Sequence, residues 1–394
     1  MVANGWISPI LLTLGRESSS RYVVPTTKGP TSVERSVLFG FTFLLPLARR
    51  DVRVHTEAAV NKLDIIVDLQ YGDSGKGKVA HFLCKKNKYS HVIRYNGGGN
   101  AGHTIFHKGV KFVTHQIPVG VFFGVTSIVG SGCALDPDTF FEEIAMLEKG
   151  GIKTKGKIFI AKNAHVVTNA HKEEDGKDVK VGTTKRGIGP TYREKYGRTG
   201  VRAESVPELQ PYLIDLYEEF QVKNKKAVVL GEGAQGFGLD IDWGDYPFVT
   251  SSHCTSAGAL LNGFPPQSVR DVWGVAKAYE TYVGKKEFEP KNEPLFAKIR
   301  EIGQEYGATT GRARQCNWLN LALLEKAARM NGVTKLVINK IDVLNRAGAW
   351  KIIDGKKIVS FKGPAPMKAY IRKRLAKSGI SAKNIFFSES AETV

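Results

Sequence analysis

The chain has 394 residues, of which 42% are hydrophobic, and carries a formal net charge of +19. That length suits one large α/β domain or two ordinary ones, and the charge favours anionic partners such as phosphorylated metabolites. Cys84, Cys133, Cys254 and Cys316 stand far apart, which argues against a paired-cysteine zinc site or a disulfide scaffold and suits a reducing, cytoplasmic setting. The longest apolar run, 36–48, is too short to cross a bilayer and is broken by proline. No finger spacing, aromatic-rich RNA motif or arginine-rich tail accompanies the charge, so neither nucleic acid nor a membrane is the expected partner.

Residues 1–60 show no sustained period and read as a poorly structured leader. Glu17, Glu34, Asp51 and Glu57 argue against a targeting peptide. A single catalytic domain is expected over 61–394. Its first strand is L-D-I-I-V-D-L (63–69), and a helix starts at V-A-H-F-L-C (79–84) after a glycine turn. Strands are expected at 91–95 and 127–130. A helix follows over 135–150, with Asp136 as its cap, Pro137 in its first turn and Gly150 as its stop. Further buried strands are expected at 227–230 and 336–338. Apolar strands alternating with helices predict an α/β fold with a mainly parallel central sheet and helices on both faces. Ligands should gather at the carboxyl ends of its strands.

The loops after these strands carry the chemistry. In D-L-Q-Y-G-D-S-G-K-G-K (68–78), Gly72 to Lys78 follow most of a phosphate-loop spacing, but Val79 stands where a hydroxyl would hold magnesium. Backbone N–H groups around Gly75 and Gly77, at a helix's positive end, can still cradle phosphate. Asp73, inside the turn, can supply the missing metal ligand. R-Y-N-G-G-G-N-A-G-H-T (94–104) follows another strand and adds Asn100 and His103, the latter a candidate acid. The stretch 182–198 is dense in hydroxyls, glycine and base, as suits a monophosphate. G-A-T-T-G-R-A-R (307–314) offers two guanidinium forks for carboxylate or phosphate. N-K-I-D (339–342) offers an aspartate to a guanine edge.

Together, Q-x-G-D-x-G-K-G-K, N-A-G-H-T, G-T-T-x-x-G-I-G-P, E-G-A-Q-G, D-I-D-x-G-x-Y-P-F-V-T-S-S, K-A-Y-x-T-x-V-G, T-T-G-R-x-R and K-x-D-V-L resemble the adenylosuccinate synthetase family over about 63–346. The resemblance implies a P-loop-like nucleotide-binding fold, a homodimer, and a ligase joining L-aspartate to the 6-position of a purine nucleotide through a 6-phosphoryl intermediate. It implies that Asp73 is the base, binding Mg²⁺ with the Gly102 carbonyl, and that His103 is the acid. Ser74, Gly75, Lys76 and Gly77 would lie against phosphate. Asn100, Thr184, Gln235 and Thr250 would grip the nucleotide monophosphate, and Arg198 would come from a second subunit. Thr310 and Arg312 would bind aspartate, Arg314 would lie near the nucleotides, and Lys340 and Asp342 would meet the donor base.

Two departures bear on the substrate. Ordinary members carry W-G-D-E-G-K-G-K, with glutamate where this chain has Ser74, and Q-G-G-x-N-A-G-H-T, with glutamine where it has Asn96 and with Gly99 at the variable position. The chain also lacks a long insert between Arg202 and Glu232. Such trimming is similar to archaeal enzymes and to a phage branch that makes 2-aminoadenine. Shortened side chains predict room for a 2-amino group, hence dGMP as acceptor and N6-succino-2-amino-2′-deoxyadenylate as product, made in a host's cytoplasm if the enzyme is viral. The S-E-S-A-E-T ending (388–393) weakens a guanine pocket, which points to ATP or dATP as donor. The alternative is an ordinary family member using IMP and GTP. A P-loop GTPase switch would require a hydroxyl after Lys78, and a nucleic-acid-binding protein would leave the motif series without purpose.

Overall fold

Successive residues of a strand point to opposite faces of its sheet. Ile65, Ile66 and Val67 are nevertheless all completely buried, so the strand Lys62–Asp68 is covered on both sides, as a continuous apolar run in a parallel sheet should be. It sits inside a nine-stranded sheet. The order across that sheet is Leu213–Ile214, Ile158–Ala161, Thr126–Val129, His91–Arg94, Val228–Glu232, Lys62–Asp68, Val269–Lys277, Lys335–Asn339 and Ile385–Phe387. Every neighbouring pair runs parallel. A second, mixed sheet joins Tyr279–Tyr282, Gln315–Asn320, Lys351–Asp354 and Lys357–Ser360. The α/β, mainly parallel expectation is met.

The computed structural model describes residues 60–291, 293–307 and 311–390. All of them belong to the unit Thr56–Val394. The expected leader lies, apart from Val60, outside the described residues, and so does Thr310. Among the described residues no helix is long and apolar enough to cross a membrane.

The helix after the first strand is Lys76–Lys86 and begins inside the glycine turn rather than after it. The helix expected at 135–150 is Pro137–Lys149, and Gly150 follows it. Asp136 holds the cap position but does not cap: its carboxylate accepts from the Thr139 hydroxyl at 2.9 Å, not from a backbone N–H. The nine-residue strand Val269–Lys277, the longest of the central sheet among the described residues, is not among the expected elements. Arg270, Asp271 and Lys277 interrupt its apolar pattern.

Candidate active site

Five adjacent strands of the sheet end, side by side, in Arg94, Glu232, Asp68, Lys277 and Asn339. All five side chains are buried. Burying four charges in a row is tolerable only where each is paired, and the pairings build the site.

Asp68 organises the glycine turn. One carboxylate oxygen accepts from the Gln70 N–H at 2.9 Å and the Ser74 hydroxyl at 3.0 Å; the other accepts from the Ser74 N–H and the Lys76 ammonium, both at 3.1 Å. Gly75 takes φ +98°, and a Cβ there would meet Asn339 Nδ2 at 2.8 Å, the atom that donates to the Ser74 carbonyl. Glycine is therefore required at this point. Val79, in the place of the missing hydroxyl, is completely buried. Asp73 takes φ +56° and keeps its carboxylate 40% exposed.

Arg94 and Glu232 pair at 2.8 Å and share His103. Nδ1 of the imidazole makes a short contact with Glu232 and lies 3.0 Å from Arg94 Nη2, so Nε2 is the nitrogen without a partner among the described residues. Burial, and next Arg94, push the ring down to about 4 against the pull of Glu232. His103 is thus neutral at pH 7. Burial alone would raise Glu232, but Arg94 and His103 hold it down at about 2. Gly77 faces His103 directly: a Cβ there would stand 3.1 Å from His103 Cβ. Its role is close packing.

A second network joins the glycine turn to the loop before Gln315. Glu305 receives the Tyr279 hydroxyl at 2.6 Å, the Lys277 ammonium at 3.1 Å and one arm of Arg314. The other arm of Arg314 lies 2.8 Å from Asp73 Oδ2. Burial would raise Glu305, but Lys277 and Arg314 keep it ionised, at about 2.

The outer members of these networks border a cavity of about 210 Å³. Of the residues expected at the site, Asp73, Lys76, Asn100, Gly102, His103, Thr184, Gln235, Thr250, Arg312 and Arg314 line it. Asn100 Oδ1 and both amide atoms of Gln235 are buried with no partner among the described residues. Buried polar atoms in a native site are normally satisfied, and a bound nucleotide would satisfy these. Arg312 donates to the carbonyls of Gly182 and Thr183, tying its loop to the hydroxyl-rich one. The Asp73 carboxylate and the Gly102 carbonyl are hard oxygen donors from two residues that line this cavity, a donor type that fits Mg²⁺.

Other expected residues lie elsewhere. Ser74 is 1% exposed and does not line the cavity; its hydroxyl is taken by Asp68, Gln70 and the Gly72 carbonyl. Asn96 is also buried, bonded to Ala234 and Ser252, and neither it nor Gly99 lines the cavity. Ser74 and Asn96, expected beside the purine ring, are held within the protein rather than on the cavity lining. Gly75 and Gly77 serve the turn and its packing rather than the lining. Arg198 caps the helix Ile188–Gly197 at φ +64° and is exposed, away from the cavity of its own chain. Lys340 caps the helix Ile341–Ala347, with Asp342 in its first turn, also off the lining. Near them Lys78, pushed down to about 8 by burial, donates to the Ser388 hydroxyl and the Ser390 carbonyl. Asp68, Arg94, Glu232, Lys277 and Glu305 went unmarked in the sequence; a charged residue ending an apolar strand was the available signal for the first four.

The adenylosuccinate synthetase family model matches residues 65–208 and 203–365. The adenylosuccinate synthetase of Chlorobaculum parvum is 38% identical over 357 residues, 75% of this chain and 81% of that protein. That of Chlorobium phaeobacteroides is 37% identical over 361 residues, 77% and 82% of the two chains. Among solved structures, fully ligated adenylosuccinate synthetase from Plasmodium falciparum superposes with a TM-score of 0.72 at 25% identity, covering 84% of this chain and 98% of that one. Cyanophage S-2L succinoaminodeoxyadenylate synthetase, bound to dGMP and dATP, shares the fold with a TM-score of 0.61 at 22% identity, covering 81% and 99%. With its motif loops gathered on one cavity and the family model spanning most of its length, the chain belongs to the adenylosuccinate synthetase family and is a carbon–nitrogen ligase of purine nucleotide biosynthesis.

Proposed function

We propose that this ligase joins L-aspartate to IMP at the expense of GTP, giving adenylosuccinate, and that it works as a homodimer. The observation that carries the choice of acceptor is the burial of Ser74 and Asn96, whose polar atoms are engaged within the protein. The dGMP reading rested on those two side chains making room for a 2-amino group, and neither lines the cavity. The relatives at 37–38% identity, named adenylosuccinate synthetases, support the same choice. For the donor, Asp342 makes no hydrogen bond or ion pair with a described residue, leaving a carboxylate able to accept both N–H groups of a guanine edge. Adenine offers no such pair, which favours GTP over ATP.

On this reading Asp73 takes the N1 proton of the purine while O6 attacks the γ-phosphorus and GDP leaves with the β–γ bridging oxygen; the amine of aspartate then adds at carbon 6, loses a proton to water and expels inorganic phosphate with O6. Asp73 and the Gly102 carbonyl would hold Mg²⁺, which would supply neutralisation of the charge dispersed over the transferring group. Lys76 and the backbone N–H groups of the turn add fixed positive charge. His103 meets the phosphoryl oxygens through Nε2. An anion there works against Arg94 and draws a proton onto the ring, so the imidazole becomes a donor when the phosphoryl group arrives. Asn100, Gln235, Thr184 and Thr250 hold the monophosphate, Arg312 holds aspartate, and Arg198 reaches the other subunit's site.

The test is a side-by-side assay of IMP, GMP and dGMP, each with GTP and with ATP. IMP with GTP should exceed every other combination by at least roughly tenfold in kcat/KM. Preferential conversion of dGMP would return the acceptor to the 2-amino purine, and equal use of both donors would remove the role given to Asp342.

A further inference from the structure

The Arg314–Asp73 pair has a consequence for metal entry, and it rests on the ligase reading above. The Asp73 carboxylate is the group that would hold a divalent cation, and its Oδ2 lies 2.8 Å from Arg314 Nη2. The two ends of this pair are held very differently. Arg314 is anchored by its other arm on Glu305, itself 1% exposed and fixed by Lys277 and Tyr279. Asp73 stands at an exposed bend. The four charged groups, Lys277, Glu305, Arg314 and Asp73, balance to zero.

A lone divalent cation drawing Asp73 away would leave two largely buried cations, Lys277 and Arg314, to share the single carboxylate of Glu305. It would also stand within a few ångströms of a guanidinium. A triphosphate arriving with the cation removes both penalties, because its terminal oxygens give Arg314 a new anion. Arg314 lines the same cavity, and its Nε is buried with no partner among the described residues. We propose that Arg314, anchored on Glu305, is a latch on Asp73: it excludes free divalent cation and opens only to a cation–triphosphate complex, so that metal and donor nucleotide enter together.

Mn²⁺ binding to the whole chain, followed by the electron paramagnetic resonance of the free ion, tests this without any purine monophosphate or aspartate. Wild type should bind Mn²⁺ weakly alone and much more tightly with GTP. Arg314→Gln should bind Mn²⁺ alone roughly tenfold more tightly than wild type and the Mn²⁺–GTP complex roughly tenfold more weakly. Adding Asp73→Asn to that variant should abolish the gain. Arg314→Lys, which keeps a cation beside Glu305 but lacks the second arm, should show the same gain and carries the test if the glutamine variant fails to fold. Unchanged or weaker Mn²⁺ binding in the folded variants, or a gain that survives loss of Asp73, overturns the latch. Because no acceptor is present, that failure is distinct from a failure of the IMP assay, which is read on wild type alone.

Discussion

At the scale of single residues, the serine beside Asp73 has a structural explanation. Where the family motif has glutamate, this chain has a hydroxyl 3.0 Å from the Asp68 carboxylate. That carboxylate binds the turn's N–H groups and the Lys76 ammonium. The anion that orders the loop is thus supplied from the end of the strand, and position 74 has to be small and able to donate. Ser74→Glu alone would set two carboxylates together in a buried turn, where one must take up a proton or move away. The expected cost is about 2 kcal/mol or more in urea unfolding, with turnover of IMP and dGMP depressed alike. Asp68→Ser should cost a similar amount alone, through the loss of Lys76's partner. The double variant Asp68→Ser with Ser74→Glu should be more stable than the sum of the two by about 1–3 kcal/mol. Additive losses would mean that the two positions do not share one carboxylate's work. A loss confined to dGMP would instead restore Ser74 to the purine pocket.

At the scale of elements, legibility followed burial pattern. Strands such as Lys62–Asp68 and Lys335–Asn339 were readable because both faces are covered, leaving an unbroken apolar run. Val269–Lys277 was not, because its charges find partners that sequence order hides: Arg270 pairs with Asp64 and Lys277 with Glu305. The catalytic loops were readable since glycine, hydroxyl and base sit together in sequence. Their supports were not, since Arg94 and Glu232 become neighbours across 138 residues only when the parallel sheet forms. The second sheet hides one more charge. Glu280, on Tyr279–Tyr282, is buried and accepts from the Asn320 N–H at 3.3 Å, and burial pushes it up to about 8 from its usual 4.5 against the pull of that N–H and of Lys286. The folded state therefore holds a proton there that the unfolded chain releases above about 4.5. Its stability contribution is complete below that pH and is lost as pH rises towards 8. Glu280→Gln stays neutral throughout. The difference in unfolding free energy, variant minus wild type, should rise between pH 5 and 8 by up to about 1.4 kcal/mol per unit. A difference flat in pH would show that Glu280 ionises freely in the fold.

At the scale of the whole molecule, Arg198 is among the expected residues that the cavity assembled by one chain leaves outside it. Arg198 is exposed at the end of the helix Ile188–Gly197, on a left-handed cap, and pairs with no described residue. A guanidinium so placed gives little to its own fold, and it carries no chemistry unless another copy of the chain brings a cavity to it. Symmetry makes the exchange mutual, because each subunit of a twofold dimer gives what it receives. This arrangement has a sharp consequence. Arg198→Ala and Asp73→Asn should each be nearly inactive as pure proteins, the second by at least ~10²-fold. When the two are mixed and allowed to exchange subunits, half of the dimers become hybrids. In each hybrid one site joins an intact Asp73 to an intact Arg198 across the interface, and the other site has neither. Activity should therefore return to about a quarter of wild type. An arginine acting within its own chain would give no recovery at any mixing ratio, because every subunit would still lack one of the two groups.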